Sequence, residues 1–371
     1  MAVDLVVPGD PSTPTGGYIY DRQILAGLAE LGWRTAVHSL DGSFPRPTPR
    51  ALRAARARFA AIPDGRTVLI DGLALAGLDR VLESEARRLR LVALIHHPLA
   101  LETGIDAATA RLLETAERSA LAQVERVIVT SHWTARTLGS YGVTPERLRV
   151  VEPGVDRRRP AASRGTEAAS RSPAPRVPST GRAPRESEVS MLCVATLTQR
   201  KGHAVLFEAL GELRDRRWHL ACAGSTTRDA ATTAALEHQI DRLSLGKRIS
   251  LLGDLDHETL ERYYARADLF VLASYLEGFG MALAEAIARG VPVVSTRAGA
   301  IPETVPAAAG VLVPPGDSRA LAKALARLLD EPAELAALTA RARAAAASMP
   351  TWQGAAKKFA AALDGVGTRA A

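Results

Sequence analysis

Short apolar runs typical of β-strands alternate with helical patterns along the whole chain. The first half contains VDLVV, TAVHSL, TVLID, LVALIHH, RVIVTS and RVVEPG, and the second half contains MLCVATL, WHLACAG, ISLLG, DLFVLAS, VPVVS and GVLVP. Continuous apolar strands separated by helices predict parallel sheets that are covered by helices on both faces. A chain of 371 residues is long for one such domain, so an α/β protein of two domains is predicted. There is no sequence repeat, but we expect the two halves to share a topology.

A segment of unusual composition separates the halves. Residues 157–188 are rich in Pro, Ser, Ala and Arg, and Val177 is their only larger aliphatic residue. Such a segment buries too little apolar surface to offset its ordering entropy, which predicts a disordered linker. The predicted organisation is a first domain over 1–156, the linker over 157–188, a second domain over 189–350 and a C-terminal segment over 351–371. In that last segment a helix is predicted to begin near Thr351.

Charge and composition exclude several classes of protein. The net charge is +7, but the linker alone carries eight Arg and three Glu, so most of the excess does not lie on a folded face. Without a basic face or interleaved aromatic residues, we expect no nucleic-acid partner. No apolar run reaches the roughly 18 residues of a membrane-spanning helix. The N-terminal apolar run contains Asp4 and lacks a basic start, so no signal peptide is expected.

Two further patterns bear on location. Cys193 and Cys222 each lie in a short apolar run, which predicts buried thiols in a cytoplasmic protein without disulfides. Residues 48–62 form a basic amphipathic stretch with Leu52, Ala55 and Phe59 on one side. Such a helix either lies on an anionic membrane surface, giving a weak peripheral association, or covers the domain as a solvated helix.

Ligands of parallel sheets bind in the loops that follow the strands, so these loops are the candidate sites. After the first strand, Gly16 and Gly17 stand at a helix entrance, where backbone N–H groups can approach a phosphate or sugar, or they only make a turn. After the fourth strand, His96 and His97 can hydrogen-bond a sugar hydroxyl or a developing charge. A metal site needs more ligands than these two, and no further cluster has suitable spacing, so no metal is predicted.

The second half contributes two more loops. Arg200 and Lys201 lie between a strand and a helix, and Lys201 is one of only five lysines against 42 arginines. A compact ammonium group is a good partner for a diphosphate, although a solvated surface pair is the alternative. The other loop carries Glu277 and leads into a helix with Glu285 eight residues later. A carboxylate in that Ala- and Leu-rich helix is costly unless it is bonded or exposed.

These residues together resemble the family 4 retaining glycosyltransferases. The loop Glu277-Gly278-Phe279-Gly280 and the later Glu285 are similar to that family's E-x7-E motif. Gly16-Gly17, His96, the RKG at 200–202, Gly224 and the AGAIPETV at 298–305 follow in the family's order. The resemblance covers both halves and fails only in the linker. It implies the GT-B fold, in which two Rossmann-like domains face a cleft and a C-terminal helix crosses back to the first domain.

The resemblance also implies roles for these residues. Catalytic roles are expected for His96, Lys201 and Glu277, which would face the reacting sugar, neutralise the diphosphate and adjoin the donor sugar. Donor binding is expected for Gly16, Gly17, Arg200, Gly224, Gly278, Phe279, Gly280, Met281 and Glu285. The reaction implied is transfer of a hexose, with retention, from a nucleoside diphosphate sugar to an unknown hydroxyl acceptor, without metal or cofactor.

One departure and three alternatives qualify this expectation. Many members have Gly-Arg where this chain has Ala195-Thr196, so Arg200 is expected to supply the missing charge. The alternatives are a sugar-nucleotide epimerase, a phosphorylase and a non-catalytic nucleotide-sugar-binding protein. A phosphorylase of the pyridoxal phosphate type needs a dedicated lysine, and none of the five is a clear candidate.

Overall fold

The computed structural model describes residues 1–156 and 188–366, which form two parallel six-stranded sheets. The predicted linker lies outside the described residues except for Glu188, as do residues 367–371. The first sheet consists of β1 Ala2–Pro8, β2 Arg34–Leu40, β3 Thr67–Asp71, β4 Arg90–Ile95, β5 Arg126–Val129 and β6 Leu148–Val150. The second consists of β7 Val189–Val194, β8 Trp218–Ala223, β9 Ile249–Gly253, β10 Leu269–Leu272, β11 Val293–Thr296 and β12 Gly310–Val313.

Helices connect the strands, as crossovers between parallel strands require. They are α1 Gly16–Glu30, α2 Pro49–Ala60, α3 Gly72–Leu75, α4 Asp79–Glu85, α5 Ala107–Gln123, α6 His132–Gly139, α7 His203–Gly211, α8 Ala230–Arg242, α9 His257–Arg266, α10 Met281–Ala288, α11 Ile301–Thr304, α12 Ser318–Asp330, α13 Pro332–Ala346 and α14 Trp352–Leu363. Many begin at a Ser, Thr or Asp whose side chain accepts a first-turn N–H, as Thr15 does for α1 and Asp106 for α5.

The two sheets differ in strand order, so the expectation of a shared topology is wrong. The first has the order β2-β1-β3-β4-β5-β6, and the second β12-β11-β10-β7-β8-β9. In the second sheet the order reverses between β7 and β10, whereas in the first it reverses between β1 and β3. Ligands of doubly wound sheets bind at such reversals, beyond the carboxyl ends of the strands. Apolar periodicity does not encode which strands are neighbours, which is why the sequence did not reveal the difference.

The central strands of each sheet are buried on both faces, whereas the edge strand β2 is mostly exposed. In β1, Leu5 belongs to the apolar cluster under α1, and its neighbour Val6 belongs to the cluster on the opposite face, because successive side chains alternate. In the second domain one large cluster contains the sheet and its helices, with Trp218 and Phe270 fully buried.

The C-terminal helix α14 packs against the first domain, which confirms that part of the predicted fold. Val155 donates its backbone N–H to the carbonyl of Pro350 at 2.9 Å, where the chain returns. Phe359 is buried in the same cluster as α1 and β1. The ring of Trp352 meets that of Tyr20 edge to face, with centroids 6.1 Å apart. The exact domain boundaries stay a prediction.

Two other expectations, one for each domain, can be compared with the structure. The apolar side of α2 is turned inward, since Ala55 and Phe59 are buried in the first domain, so that side is not free to contact lipid. Cys193 and Cys222 are buried free thiols, as predicted. Within residues 1–156 and 188–366, no helix combines the length and hydropathy needed to cross a bilayer.

The close approach of α1 to α14 depends on Gly27. A Cβ there would lie 2.4 Å from the Cβ of Ala356, so Gly27→Ala should force the helices apart and lower the free energy of unfolding by about 1–3 kcal/mol. Gly139→Ala is the matched control, because this exposed helical glycine has open space around it and alanine favours a helix by about 1 kcal/mol. Denaturant unfolding of both variants tests this, and equal effects at the two positions would refute the packing argument.

Candidate active site

Loops from the two domains meet across a cleft beyond the carboxyl ends of the strands. A Cβ at Gly278, after β10, would lie 2.0 Å from the carbonyl oxygen of His96, after β4. The Nε of Arg200 lies 2.9 Å from the Oε1 of Glu102 in the other domain. The sulfur of Met281 lies 3.8 Å from the Cβ position of Gly16. The structure therefore brings the predicted residues of both halves into one region.

Glu277 is the buried centre of the second domain's side of the cleft. Its side chain is 8% exposed, and its Oε1 accepts hydrogen bonds from Lys201 Nζ at 2.6 Å and Ser274 Oγ at 2.7 Å. Its Oε2 lies 3.6 Å from the guanidinium of Arg200. Burial alone would raise the pKa of Glu277, but Lys201 and Arg200 outweigh burial and lower it. The carboxylate is therefore ionised and can accept hydrogen bonds from sugar hydroxyls.

The two cations are placed by the turn between β7 and α7. A short 3-10 helix spans Gln199–Lys201 and ends at Gly202, which has a φ of 66°. A Cβ at Gly202 would lie 2.0 Å from the carbonyl oxygen of Ala273, so this turn packs directly on the strand that leads to Glu277. Burial lowers the pKa of Lys201 despite the opposing effect of Glu277. Arg200 is fixed by Glu102 and also donates to the carbonyl of Leu276 at 2.8 Å.

Backbone N–H groups at the start of α10 are placed to bind an anion. Gly280, with a φ of 94°, precedes α10, which begins without a side-chain cap, so its first N–H groups are available to a ligand. Phe279 is buried, and its carbonyl accepts a hydrogen bond from Thr304. Gly224, with a φ of 146°, would place a Cβ only 2.2 Å from the carbonyl oxygen of Ala195. That contact requires glycine in the loop after β8.

Glu285 lies on α10 and is partly buried. Burial raises its pKa, against the opposing effects of Arg289 and of a 3.2 Å hydrogen bond donated by the Tyr264 hydroxyl to Oε2. This carboxylate retains capacity to accept further hydrogen bonds. It is thus not the solvated helix position that was the alternative.

His96 stands at the first domain's side of the cleft. Its Nε2 lies 3.3 Å from Asp21 Oδ1 and 3.4 Å from Asp71 Oδ2, and both carboxylates are almost completely buried. Burial alone would lower the pKa of His96, but the two carboxylates outweigh burial and raise it to about 10. A Cβ at Gly17 would lie 3.2 Å from the ring, so Gly17 also shapes the seat of the histidine.

The sequence analysis missed Asp21, Asp71 and Glu102. Asp21 is an acid on the apolar face of α1, and Asp71 is the last residue of an apolar strand. A charge at a position where the pattern demands an apolar residue is the signal that could have found both. Glu102 is five residues after His97, and its Oε2 lies 3.3 Å from His97 Nε2. Because Glu102 also pairs with Arg200 of the other domain, His97 supports the contact between the domains and does not line the cleft.

Two groups of Asp, His and Cys side chains lie close together that sequence spacing did not indicate. One group is Asp21, Asp71 and His96 in the first domain. The other is Cys193, His203 and Cys222 in the core of the second domain. The second group is fully buried, and Cys193 Sγ lies 3.6 Å from His203 Nε2. Metal independence therefore stays a prediction. A surface cavity lined by Met1, Trp33 and Arg66 lies at the amino ends of the first sheet, away from all of these residues.

Sequence profiles of known families match both halves of the chain. A profile described as Glycosyltransferase Family 4 matches residues 2–159, and one described as Glycosyl transferases group 1 matches residues 181–345. Together they cover both domains and leave the C-terminal helix and part of the linker unmatched.

Among curated proteins, the chain is similar to the MMP alpha-(1->4)-mannosyltransferase of Mycolicibacterium hassiacum. The two are 29% identical over 84% of this chain and 73% of that protein. The D-inositol 3-phosphate glycosyltransferase of Mycobacterium sp. strain JLS is 32% identical over 51% of this chain. That match spans only 41% of the relative's own length.

Solved structures show the same fold. The sucrose-phosphate synthase of Thermosynechococcus elongatus superposes with a TM-score of 0.76 at 22% identity, covering 97% of both chains. Anabaena HepE in complex with UDP-glucose superposes with a TM-score of 0.72 at 17% identity, covering 98% of this chain and 99% of that one. The fold is thus GT-B, as predicted.

The buried pair of Lys201 and Glu277 yields a stability prediction. Lys201→Met should lower the free energy of unfolding by about 3 kcal/mol, because it leaves a buried carboxylate without its nearest cation. Lys201→Met combined with Glu277→Gln should recover most of that loss. Arg242→Met is the control, since its pair with Glu208 is exposed and contributes less than about 1 kcal/mol. Denaturant unfolding measures the free energy of unfolding of the two single variants and of the double variant. A double variant no more stable than Lys201→Met would contradict the pairing argument.

Proposed function

Because the chain belongs to the family 4 glycosyltransferases, we propose that it transfers a hexose, with retention of configuration, from a nucleoside diphosphate sugar to a hydroxyl acceptor. One observation carries the proposal: the buried Glu277, paired with Lys201 and Arg200, directly precedes Gly278, which packs against the backbone carbonyl of His96 in the first domain. That set can bind a sugar and a diphosphate at once.

The donor diphosphate binds Lys201, Arg200 and the N-terminal amides of α10. The charge of Lys201 is balanced by Glu277, and that of Arg200 by Glu102 and Glu277. Diphosphate oxygens replace part of these contacts. As the bond to the sugar breaks, negative charge grows on the leaving oxygen, and the fixed cations and amides stabilise it without reorganising.

The sugar lies between Glu277 and His96. Glu277 accepts hydrogen bonds from its hydroxyls, and the acceptor hydroxyl attacks on the face from which the diphosphate leaves, which gives retention. The direct contacts between the domains at Gly278 and Arg200 exclude water that would otherwise hydrolyse the donor.

The names of similar proteins bear on the class of donor. The two similar curated proteins are named for mannosyl transfer and for glycosyl transfer to an inositol phosphate, and HepE was solved with UDP-glucose. These names support a hexose donor. No metal or cofactor takes part in the proposed chemistry.

The test is to incubate the full chain with UDP-, GDP- and ADP-hexoses, with and without a panel of sugar and polyol acceptors. A transferase releases nucleoside diphosphate in equal amount to glycosylated product, whose anomeric configuration by NMR matches the donor. Lys201→Ala should slow this release roughly 100-fold or more. Binding of a donor without release by any acceptor would instead indicate a non-catalytic binding protein. Conversion of the donor into an epimer would indicate an epimerase.

A second prediction concerns Glu285, which we assign to the ribose of the nucleotide. Hydrogen bonds to a charged group contribute about 1.5–3 kcal/mol, so Glu285→Ala should weaken nucleoside diphosphate binding roughly 10- to 100-fold while turnover at saturation changes little. Glu237→Ala is the control, because Glu237 is an exposed carboxylate on α8 of the same domain. Isothermal titration calorimetry measures the affinity. Unchanged affinity with collapsed turnover would remove Glu285 from the ribose site.

A further inference from the structure

The cluster of Asp21, Asp71 and His96 is the strongest feature that the proposed chemistry leaves unexplained. It joins helix α1 and the ends of β3 and β4, and its three ligand atoms lie within 4.8 Å of one another. The side chains of Asp21 and Asp71 are only 2% and 1% exposed. Burying two carboxylates side by side is costly unless a positive charge lies between them.

The imidazole supplies that charge. Nε2 is the buried ring nitrogen, and it faces both carboxylates at ionic rather than well-aligned hydrogen-bonding geometry. One Asp71 oxygen is further occupied by the backbone N–H of Leu73 at 2.8 Å, which fixes that carboxylate at the start of α3. The His96 side chain is 21% exposed, and since Nε2 is buried, only Nδ1 can offer a polar contact to the cleft.

We propose that Asp21 and Asp71 are positioning residues that keep His96 protonated, so that its Nδ1–H donates a charged hydrogen bond to an oxygen of the bound substrates. The inference rests on the proposed function for the identity of the substrates only. A His96 that keeps its proton up to about pH 8 cannot act as a general base toward the acceptor hydroxyl in that range. Its role is that of a fixed cation opposite Lys201, on the other side of the sugar.

The surroundings contain no competing cation at the same distance among the described residues. Tyr20 presents its ring edge to His96, with centroids 5.5 Å apart. Burial, together with the negative charges of Asp71 and Asp21, raises the pKa of Tyr18. Burial raises the pKa of Asp21 to about 6, and among the cations that oppose this, Arg22 has a weaker effect than His96. The carboxylates therefore depend mainly on His96 for their neutralisation, and the dependence is mutual.

The first experiment follows the histidine ring signals of the full chain by NMR from pH 5.5 to 9, with His96→Gln to assign the resonance. In the wild type, His96 should keep its ring proton up to about pH 8, whereas an ordinary histidine loses it at about 6.5. A small step near pH 6 belongs to the neighbouring Asp21, whose pKa burial raises to about 6. Asp21→Asn and Asp71→Asn should each lower the pH at which His96 loses its ring proton by at least about one pH unit, and the double variant should bring it to about 6.5 or below.

Asp4→Asn is the matched control. Asp4 is also buried in the first domain and also lies beside a histidine, with His38 Nε2 3.1 Å away, but it is far from the cleft on β1. This change should leave both the His96 titration and transfer activity as in the wild type.

The second experiment measures transfer against pH. In the Asp21→Asn and Asp71→Asn variants, activity should fall as pH rises through the lowered pKa of His96 and recover toward the wild-type value below it. The wild type should show no such fall between pH 6 and about 8. A merely structural role would instead reduce activity equally at every pH.

Three results would overturn the inference: a wild-type His96 that titrates near pH 6.5, a double variant whose His96 titrates as in the wild type, or one equivalent of tightly bound divalent metal that disappears in the Asp variants. The titration of the wild type needs no variant to fold. If no donor and acceptor support transfer, the proposed function fails while the NMR result still decides the state of His96.

Discussion

The burial of the Glu277 carboxylate is the constraint on which the site depends. A buried acid requires cations, and Lys201 and Arg200 supply them from the turn after the neighbouring strand β7. That turn can reach the acid only because β7 and β10 are adjacent in the sheet and because Gly202 admits the backbone of Ala273. Strand order, turn conformation and charge are therefore linked, because a change in any one of them alone would leave a buried charge without its partner.

The same loop joins the two domains. Gly278 rests on the carbonyl of His96, so the position of Glu277 is tied to the strand end that carries the histidine. Both sides of the cleft use one physical device, in which buried opposite charges hold each other in place. In the mechanism that we propose, the ligand exchanges with part of that network on the second domain's side. On the first domain's side, the proposed network of Asp21, Asp71 and His96 stays intact and presents a fixed charge.

Much of the fold follows from local pattern. Buried parallel strands and amphipathic helices differ in period and length, so the alternation and the start of α10 at Met281 could be predicted from neighbouring residues alone. The loops that hold Glu277, Lys201 and His96 could also be predicted, because ligands of parallel sheets lie beyond the carboxyl ends of strands. The strand order could not, since pairing depends on packing between distant segments.

From the sequence alone we could infer two α/β domains, candidate site loops at the strand ends, and a resemblance of Lys201, Glu277 and Glu285 to the pattern of a known family. The tertiary structure decided which of these residues touch. It paired Lys201 with Glu277 across 76 residues of chain and placed Asp21 and Asp71 beside His96. The physical reason is that a charge becomes costly or useful only through its burial and its partners. Both are set by contacts between segments remote in sequence, which no local pattern records.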